Sequence, residues 1–294
     1  MTSTKTRVLV VGATGKMGAK IVRELLALGS ATVRVTRRAG STAAEIAGVE
    51  TVTGDLGDAG SLAAACAEID VVVSSVQGLR DVVVDGQTRL LRAAEQAGVT
   101  RMIPSDYSLD FFKTPAGGNR NLDLRREFNA TLDASKLRGT SVLCGAFMDL
   151  LAMGAIGPDP KTGVYKVWGD ESQPYDFTTT DDTAKYIAAV ALDRDAGRKI
   201  CVAGDTLSPR ELGAIFEKLR GVPTKIERAG SVDDLSQLIA RMRAADEAPA
   251  NVFPVWQQMQ YGRDMASGLG RLAPLDNARY PSIHPKRVRE FLGA

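Results

Sequence analysis

The chain has 294 residues, 44% of them hydrophobic and 24% charged, an ordinary globular composition with ample material for a core. Its net charge of +2, with basic residues scattered rather than blocked, excludes an electrostatic footprint for nucleic acid. Three cysteines without CxxC spacing exclude a disulfide framework, and a single histidine, His284, excludes a multi-histidine metal site, so no metal is expected.

The opening MTSTKTR has no apolar run, so no signal peptide and a cytoplasmic location are expected. Val8-Leu9-Val10-Val11 is continuously apolar, the pattern of a strand buried on both faces. Gly12 to Gly18 follow, and then Met17, Ile21, Leu25 and Leu28 recur at helical spacing until Gly29. Further strands are predicted at 32–36, 49–53, 70–74, 101–103 and 140–144. Helices between them are predicted over 61–68, 83–97 and 121–136. This alternation predicts an α/β fold, a Rossmann-type parallel sheet with helices on both faces. Residues 1–150 form the expected dinucleotide-binding domain, joined by a return segment at about 177–205. Residues 151–176 and 206–294 form a smaller, mostly helical substrate region. Within it Ser208-Pro209-Arg210-Glu211 is a strong helix start. The longest apolar stretch, 142–157, carries Asp149 and stops at Pro158, too short to cross a bilayer.

The turn Gly12-Ala13-Thr14-Gly15-Lys16-Met17-Gly18 lies between a strand and an amphipathic helix. Glycines there allow a tight exit from the strand, close backbone approach to a pyrophosphate, and close packing of helix on sheet. In an NAD site a carboxylate stands near the end of the second strand. Here that end reads Thr36-Arg37-Arg38, and guanidinium forks match a phosphate, so NADP(H) is the expected cofactor. Asp55 and Leu56 after the third strand, and Ser75, Val76 and Gln77 after the fourth, are expected to reach the same ligand.

The GxxGxxG spacing resembles the atypical short-chain dehydrogenase/reductase group. Asp85-Gly86-Gln87 opening a helix, the run AGVTRMIPSDYS from Ala97 to Ser108, and Asn277-Ala278-Arg279-Tyr280-Pro281 near the end together resemble the NmrA-like and isoflavone reductase-like families. The resemblance implies an NADPH-dependent reductase of small aromatic or conjugated molecules such as enones, quinones or ketones. It also admits a cofactor-sensing regulator without turnover, and an isomerase or epimerase with bound cofactor is a third reading. Ser105 and the segment Gly145-Ala146-Phe147 are then expected at the cofactor.

One departure bears on catalysis. Where plant reductases of this family carry a lysine, the chain reads Leu124-Arg125-Arg126-Glu127. Arg125 can supply charge but cannot exchange a proton near neutral pH. The Tyr-x-x-x-Lys pair is also absent, since the nearest lysine after Tyr107 is Lys113. Tyr107 and Arg125 are therefore the candidate catalytic residues; Tyr107 is either a proton donor or a packing aromatic, and the arginine cluster either functional or a solvated helix face. Tyr107, Phe111, Phe147 and Met148 are the candidate substrate contacts. The expected partner is a small-molecule substrate, with neither nucleic acid nor membrane, and a homodimer is left open.

Overall fold

The computed structural model describes residues 5–247 and 250–294; Met1 to Thr4, part of the opening read above as leaderless, lie outside it. In chain order the elements are β1 (Thr6–Val11), α1 (Lys16–Leu28), β2 (Ala31–Arg37), β3 (Glu50–Thr53), α2 (Ala59–Cys66), β4 (Val71–Ser74), a π-helical turn (Asp81–Gly86), α3 (Gln87–Gln96), β5 (Arg101–Ile103), α4 (Arg120–Asp133), β6 (Arg138–Gly139) and β7 (Ser141–Leu143). There follow β8 (Ala146–Phe147), α5 (Asp149–Ala152), β9 (Val164–Trp168), β10 (Tyr175–Thr178), α6 (Thr180–Leu192), β11 (Lys199–Cys201), β12 (Asp205–Leu207), α7 (Pro209–Arg220), β13 (Lys225–Gly230), α8 (Val232–Ala244), α9 (Val255–Ala266) and α10 (Val288–Leu292).

These divide into two compact units. The first comprises Met1–Asp106, Leu124–Val142 and Thr183–Ile200, and the second Tyr107–Asp123, Leu143–Asp182 and Cys201–Ala294. The sequence reading leaves Tyr107–Asp123 inside the first domain. It falls in the second unit because Phe111 packs with Leu122, Leu143 and Leu272, and the Asp110 amide donates to the Gly270 carbonyl.

The first unit is a parallel sheet in the order β3-β2-β1-β4-β5-β6, the Rossmann order. Val8 of β1 lies opposite Val33 on β2 and Val71 on β4. A central strand with helices on both faces has no wet side, which is why β1 is apolar without alternation. Leu9, Leu62, Val72, Leu90, Met102, Phe128 and Leu132 form the core on one face. The strand predicted at 140–144 is realised as β7, Ser141–Leu143, outside the main sheet, whose sixth strand is β6, Arg138–Gly139. Arg101 donates to the Thr140 hydroxyl, and the Ser141 amide turns to the Arg198 carbonyl at 2.9 Å, so the chain leaves β5 there and β7 pairs with β11.

Among its described residues the second unit carries α5 and α7 to α10, with the small sheets β12-β10-β8 and the parallel pair β13-β9. Its core gathers Tyr165, Tyr175, Phe177, Leu212, Ile215 and Met265. Ser208 caps α7 with the expected reciprocal bonds to Glu211 and with Pro209 at the first helical position.

The sheet reverses its winding between β1 and β4, and there the backbones nearly touch. Gly12 has φ +87°, and a Cβ on it would lie 2.3 Å from the Ser75 carbonyl oxygen. A Cβ on Gly18 would lie 2.1 Å from the Gly12 oxygen, whereas one on Gly15 would meet only that oxygen, at 3.3 Å. We expect Gly12→Ala and Gly18→Ala each to cost roughly 2–4 kcal/mol in urea unfolding. Gly15→Ala should cost less than about 1 kcal/mol. Equal losses at all three positions would contradict this account of the turn.

Candidate cofactor site

α1 begins without a side-chain cap. Gly15 is its N-cap residue, no acid stands in the first turn, and Thr14, Gly15 and Lys16 are exposed. The first amides of a helix have no partner within it, and its dipole favours an anion at that end. Ala13 is buried beneath the turn, and Met17 is half-buried on the first helical turn. The cradle therefore has the open face, the amides and the missing side chains that a dinucleotide pyrophosphate requires.

The two arginines expected at the second strand do different things. Arg37 donates through one terminal nitrogen to the carbonyls of Ser41, at 2.7 Å, and of Ala43, closing the loop that follows β2. Arg38 is exposed. At the other strand ends, Asp55 accepts the Gly57 amide at 2.7 Å in a local turn. The Leu56 carbonyl accepts from Arg89 at 2.5 Å. The Ser75 amide donates to the Val11 carbonyl at 2.8 Å, Val76 packs on the core, and Gln77 is exposed.

Ser105 is held at all three of its polar groups. Its amide donates to Gln87 Oε1 at 3.2 Å, its hydroxyl donates to the Val76 carbonyl at 2.8 Å, and its carbonyl accepts from Arg125 Nε at 3.2 Å. Ser105 thus pins the loop after β4, and Arg125 is joined to the end of β5. Arg80 grips Glu127 of α4 with two bonds, of 2.7 and 2.5 Å, tying the same loop to that helix. That pair is exposed and contributes little to stability.

Asp106 has no exposed surface. Its Oδ2 accepts from Asn129 Nδ2 at 2.8 Å and from the Ser141 hydroxyl at 2.7 Å, while its Oδ1 has no hydrogen-bond partner. Burial pushes its pKa up; the bonds from Asn129 and Ser141 and the charges of Arg125 and Arg198 pull the other way and do not prevail. Asn129, Ser141 and Arg198 are not candidates from the sequence, and Gln87 enters there only as part of a helix-opening motif. The one signal available is a polar Asn129 one turn before the core residue Leu132.

In the second unit Tyr107 and Phe147 are half-buried, whereas Phe111 and Met148 have no exposed surface. Phe111 stacks on Phe112, ring centroids 4.4 Å apart. Met148 and Phe177 belong to the core cluster of this unit. Burial raises the pKa of Tyr175 to about 12 and that of Tyr165 further. All three cysteines are buried and none is in a disulfide, and among the described residues no cluster could hold a metal ion.

A carboxyl whose folded pKa lies above its unfolded value makes the protein less stable as pH rises between the two. The unfolded Asp106 ionises near about pH 4 and the folded one above that. The Asp106→Asn variant is neutral throughout, so its stability relative to wild type should increase as pH rises from about 4 toward neutrality. Urea unfolding across that range measures it; a flat difference would contradict the burial argument.

The NmrA-like family model matches residues 4–279. Pinoresinol reductase 2 of Arabidopsis thaliana is 32% identical over 238 residues, 73% of this chain and 74% of that protein. The isoflavone reductase homolog IRL of Zea mays is 32% identical over 243 residues, 75% of this chain and 76% of that one. Among solved structures, AtPrR2 with NADP+ and (+)pinoresinol aligns over 98% of both chains with a TM-score of 0.79 and 26% identity. The strand order, the glycine cradle and these matches agree: the chain belongs to the NmrA-like family.

Proposed function

We propose that the protein is an NADPH-dependent reductase that delivers hydride to a small aromatic or conjugated acceptor. The observation that carries the reading is the open, uncapped start of α1 beside a second strand that ends in arginine rather than a carboxylate. Relatives named as pinoresinol reductases and a solved neighbour holding NADP+ support it. In this reading the amides after Gly15 bind the pyrophosphate and Arg38 binds the 2′-phosphate, with Arg37 shaping the loop beneath it. Asp55, Leu56, Ser75, Val76 and Gln77 border the cofactor, and Ser105 and Phe147 are assigned to its nicotinamide half. The cofactor, when bound, supplies the hydride.

Arg125 is a permanent cation at the Ser105 carbonyl. It can stabilise negative charge that develops on an acceptor oxygen, but it cannot return a proton. We assign that proton to Tyr107, and substrate selection to Tyr107, Phe111, Phe147 and Met148. Among the described residues no helix is long and apolar enough to cross a membrane. Three buried cysteines outside any disulfide fit a reducing compartment, and we place the protein in the cytoplasm.

NADPH oxidation followed with a panel of quinones, enones and aromatic ketones tests the reading. Tight NADPH binding without oxidation across the panel would favour the regulatory alternative. Arg38→Ala should raise KM for NADPH about tenfold and leave NADH unaffected, as loss of a charge-assisted phosphate contact predicts. Tyr107→Phe should lower kcat about 100-fold for acceptors whose oxygen must be protonated, and far less for quinones. Unchanged turnover of a ketone in that variant would remove Tyr107 from the mechanism.

A further inference from the structure

Asp106, Asn129 and Ser141 are almost wholly buried in the first unit, and Arg198 closes over them from a partly exposed position. Asn129 Nδ2 spends both hydrogens, one on Asp106 Oδ2 at 2.8 Å and one on the Arg125 carbonyl at 2.9 Å. Its Oδ1 accepts from Arg198 Nη2 at 2.5 Å. Arg198 Nη1 donates to the Ser141 hydroxyl at 2.9 Å. The single Ser141 hydrogen lies 2.7 Å from Asp106 Oδ2 and 3.1 Å from Asn129 Oδ1, measured from the oxygen, and the nearer acceptor takes it. Arg198 Nε is fixed in turn by Asp133 at 2.6 Å. The Asn129 amide has one orientation open to it, because reversal would set its oxygen against a carboxyl oxygen and its NH2 against a guanidinium.

The bonds close a ring. Asn129 holds both Asp106 and the carbonyl of Arg125, one turn earlier on α4, and Arg125 Nε returns to the carbonyl of Ser105, the neighbour of Asp106. Such an arrangement is costly. It buries a carboxyl with one oxygen unpartnered, and apolar residues of the same volume often serve stability as well or better. The ring meets Arg125 twice, at its main-chain carbonyl through Asn129 and at its side-chain Nε through the Ser105 carbonyl.

We propose that Asp106, Asn129, Ser141 and Arg198 form a positioning relay that holds Arg125 against the Ser105 carbonyl in register for hydride transfer. The inference rests on the reductase reading and adds to it the residues that hold the site's cation in place. Asp106 and Ser141 have no surface to offer a ligand and Asn129 almost none, so they act through Arg125 and Ser105. A misplacement of about 1 Å in such a group costs about 100-fold in rate.

The test compares Asn129→Leu, Arg198→Met and Arg198→Lys with wild type by two readouts. The first is the 15N–1H signal of Arg125 Nε, assigned by its absence in Arg125→Lys, which reports the bond to Ser105 without any turnover. The second is the split between kcat and KM for NADPH with an accepted substrate. The signal should be exchange-protected in wild type, lost in Asn129→Leu, weakened in Arg198→Met and restored in Arg198→Lys. The kcat should fall about 100-fold in Asn129→Leu and about tenfold in Arg198→Met, with KM for NADPH within about twofold. Should Asn129→Leu not fold, Arg198→Met, altered at a partly exposed residue, carries the test. An unchanged Arg125 signal, or an unchanged kcat, in either folded variant overturns the proposal. If wild type fails to oxidise NADPH with every acceptor of the panel, the reductase reading fails, while the Arg125 signal still decides whether the relay exists.

Discussion

Everything in the first unit is arranged around one close approach, that of the Gly12 backbone to the Ser75 carbonyl where the sheet changes direction. The clearance admits no side chain at Gly12, and the next turn of α1 lies so near that Gly18 admits none either. Because β1 and β4 are neighbours, their carboxyl ends open on the same edge of the sheet. The uncapped amides of α1 are thereby aimed at that edge, where an open α/β sheet binds its ligand. Gly15, where a Cβ would meet only the Gly12 oxygen at 3.3 Å, is the least crowded of the three glycines.

Polarity is distributed unevenly around this edge. At α1 the polar groups are exposed and lack side-chain partners, which costs nothing in water and leaves them ready for an anion. At the end of β5 they are committed: the buried Ser105 through three bonds, the buried Asp106 through two, and the half-buried Arg125 at the Ser105 carbonyl. A mobile binding partner suits the first arrangement, and a group that must not move suits the second. Burial of Asp106 against its ordinary tendency to ionise is the thermodynamic cost of the second arrangement.

The fold was legible wherever it follows from local pattern. The apolar β1, the glycine turn, the helical spacing of α1 and the Ser208–Glu211 cap each state their structure within a few residues. What the sequence concealed depends on partners far along the chain. The departure of β7 from the main sheet depends on Arg101 at Thr140 and Arg198 at Ser141. The assignment of Tyr107–Asp123 to the second unit needs Leu272 and Gly270. At the candidate site the glycines and the arginine-ended strand were visible, but the unequal roles of Arg37 and Arg38 follow from a loop that no periodicity describes. The Asp106 relay joins residues up to 92 positions apart, each unremarkable alone, so no spacing could have announced it.

In the proposed reading the glycine cradle and the end of β2 together select a dinucleotide carrying a 2′-phosphate. Isothermal titration of the purified protein with NADP+ and with NAD+ under the same salt conditions measures that selection. One site per chain is expected, with an affinity for NADP+ at least about tenfold above that for NAD+, the value of one well-placed phosphate contact. Equal affinities, or no binding of either, would contradict it.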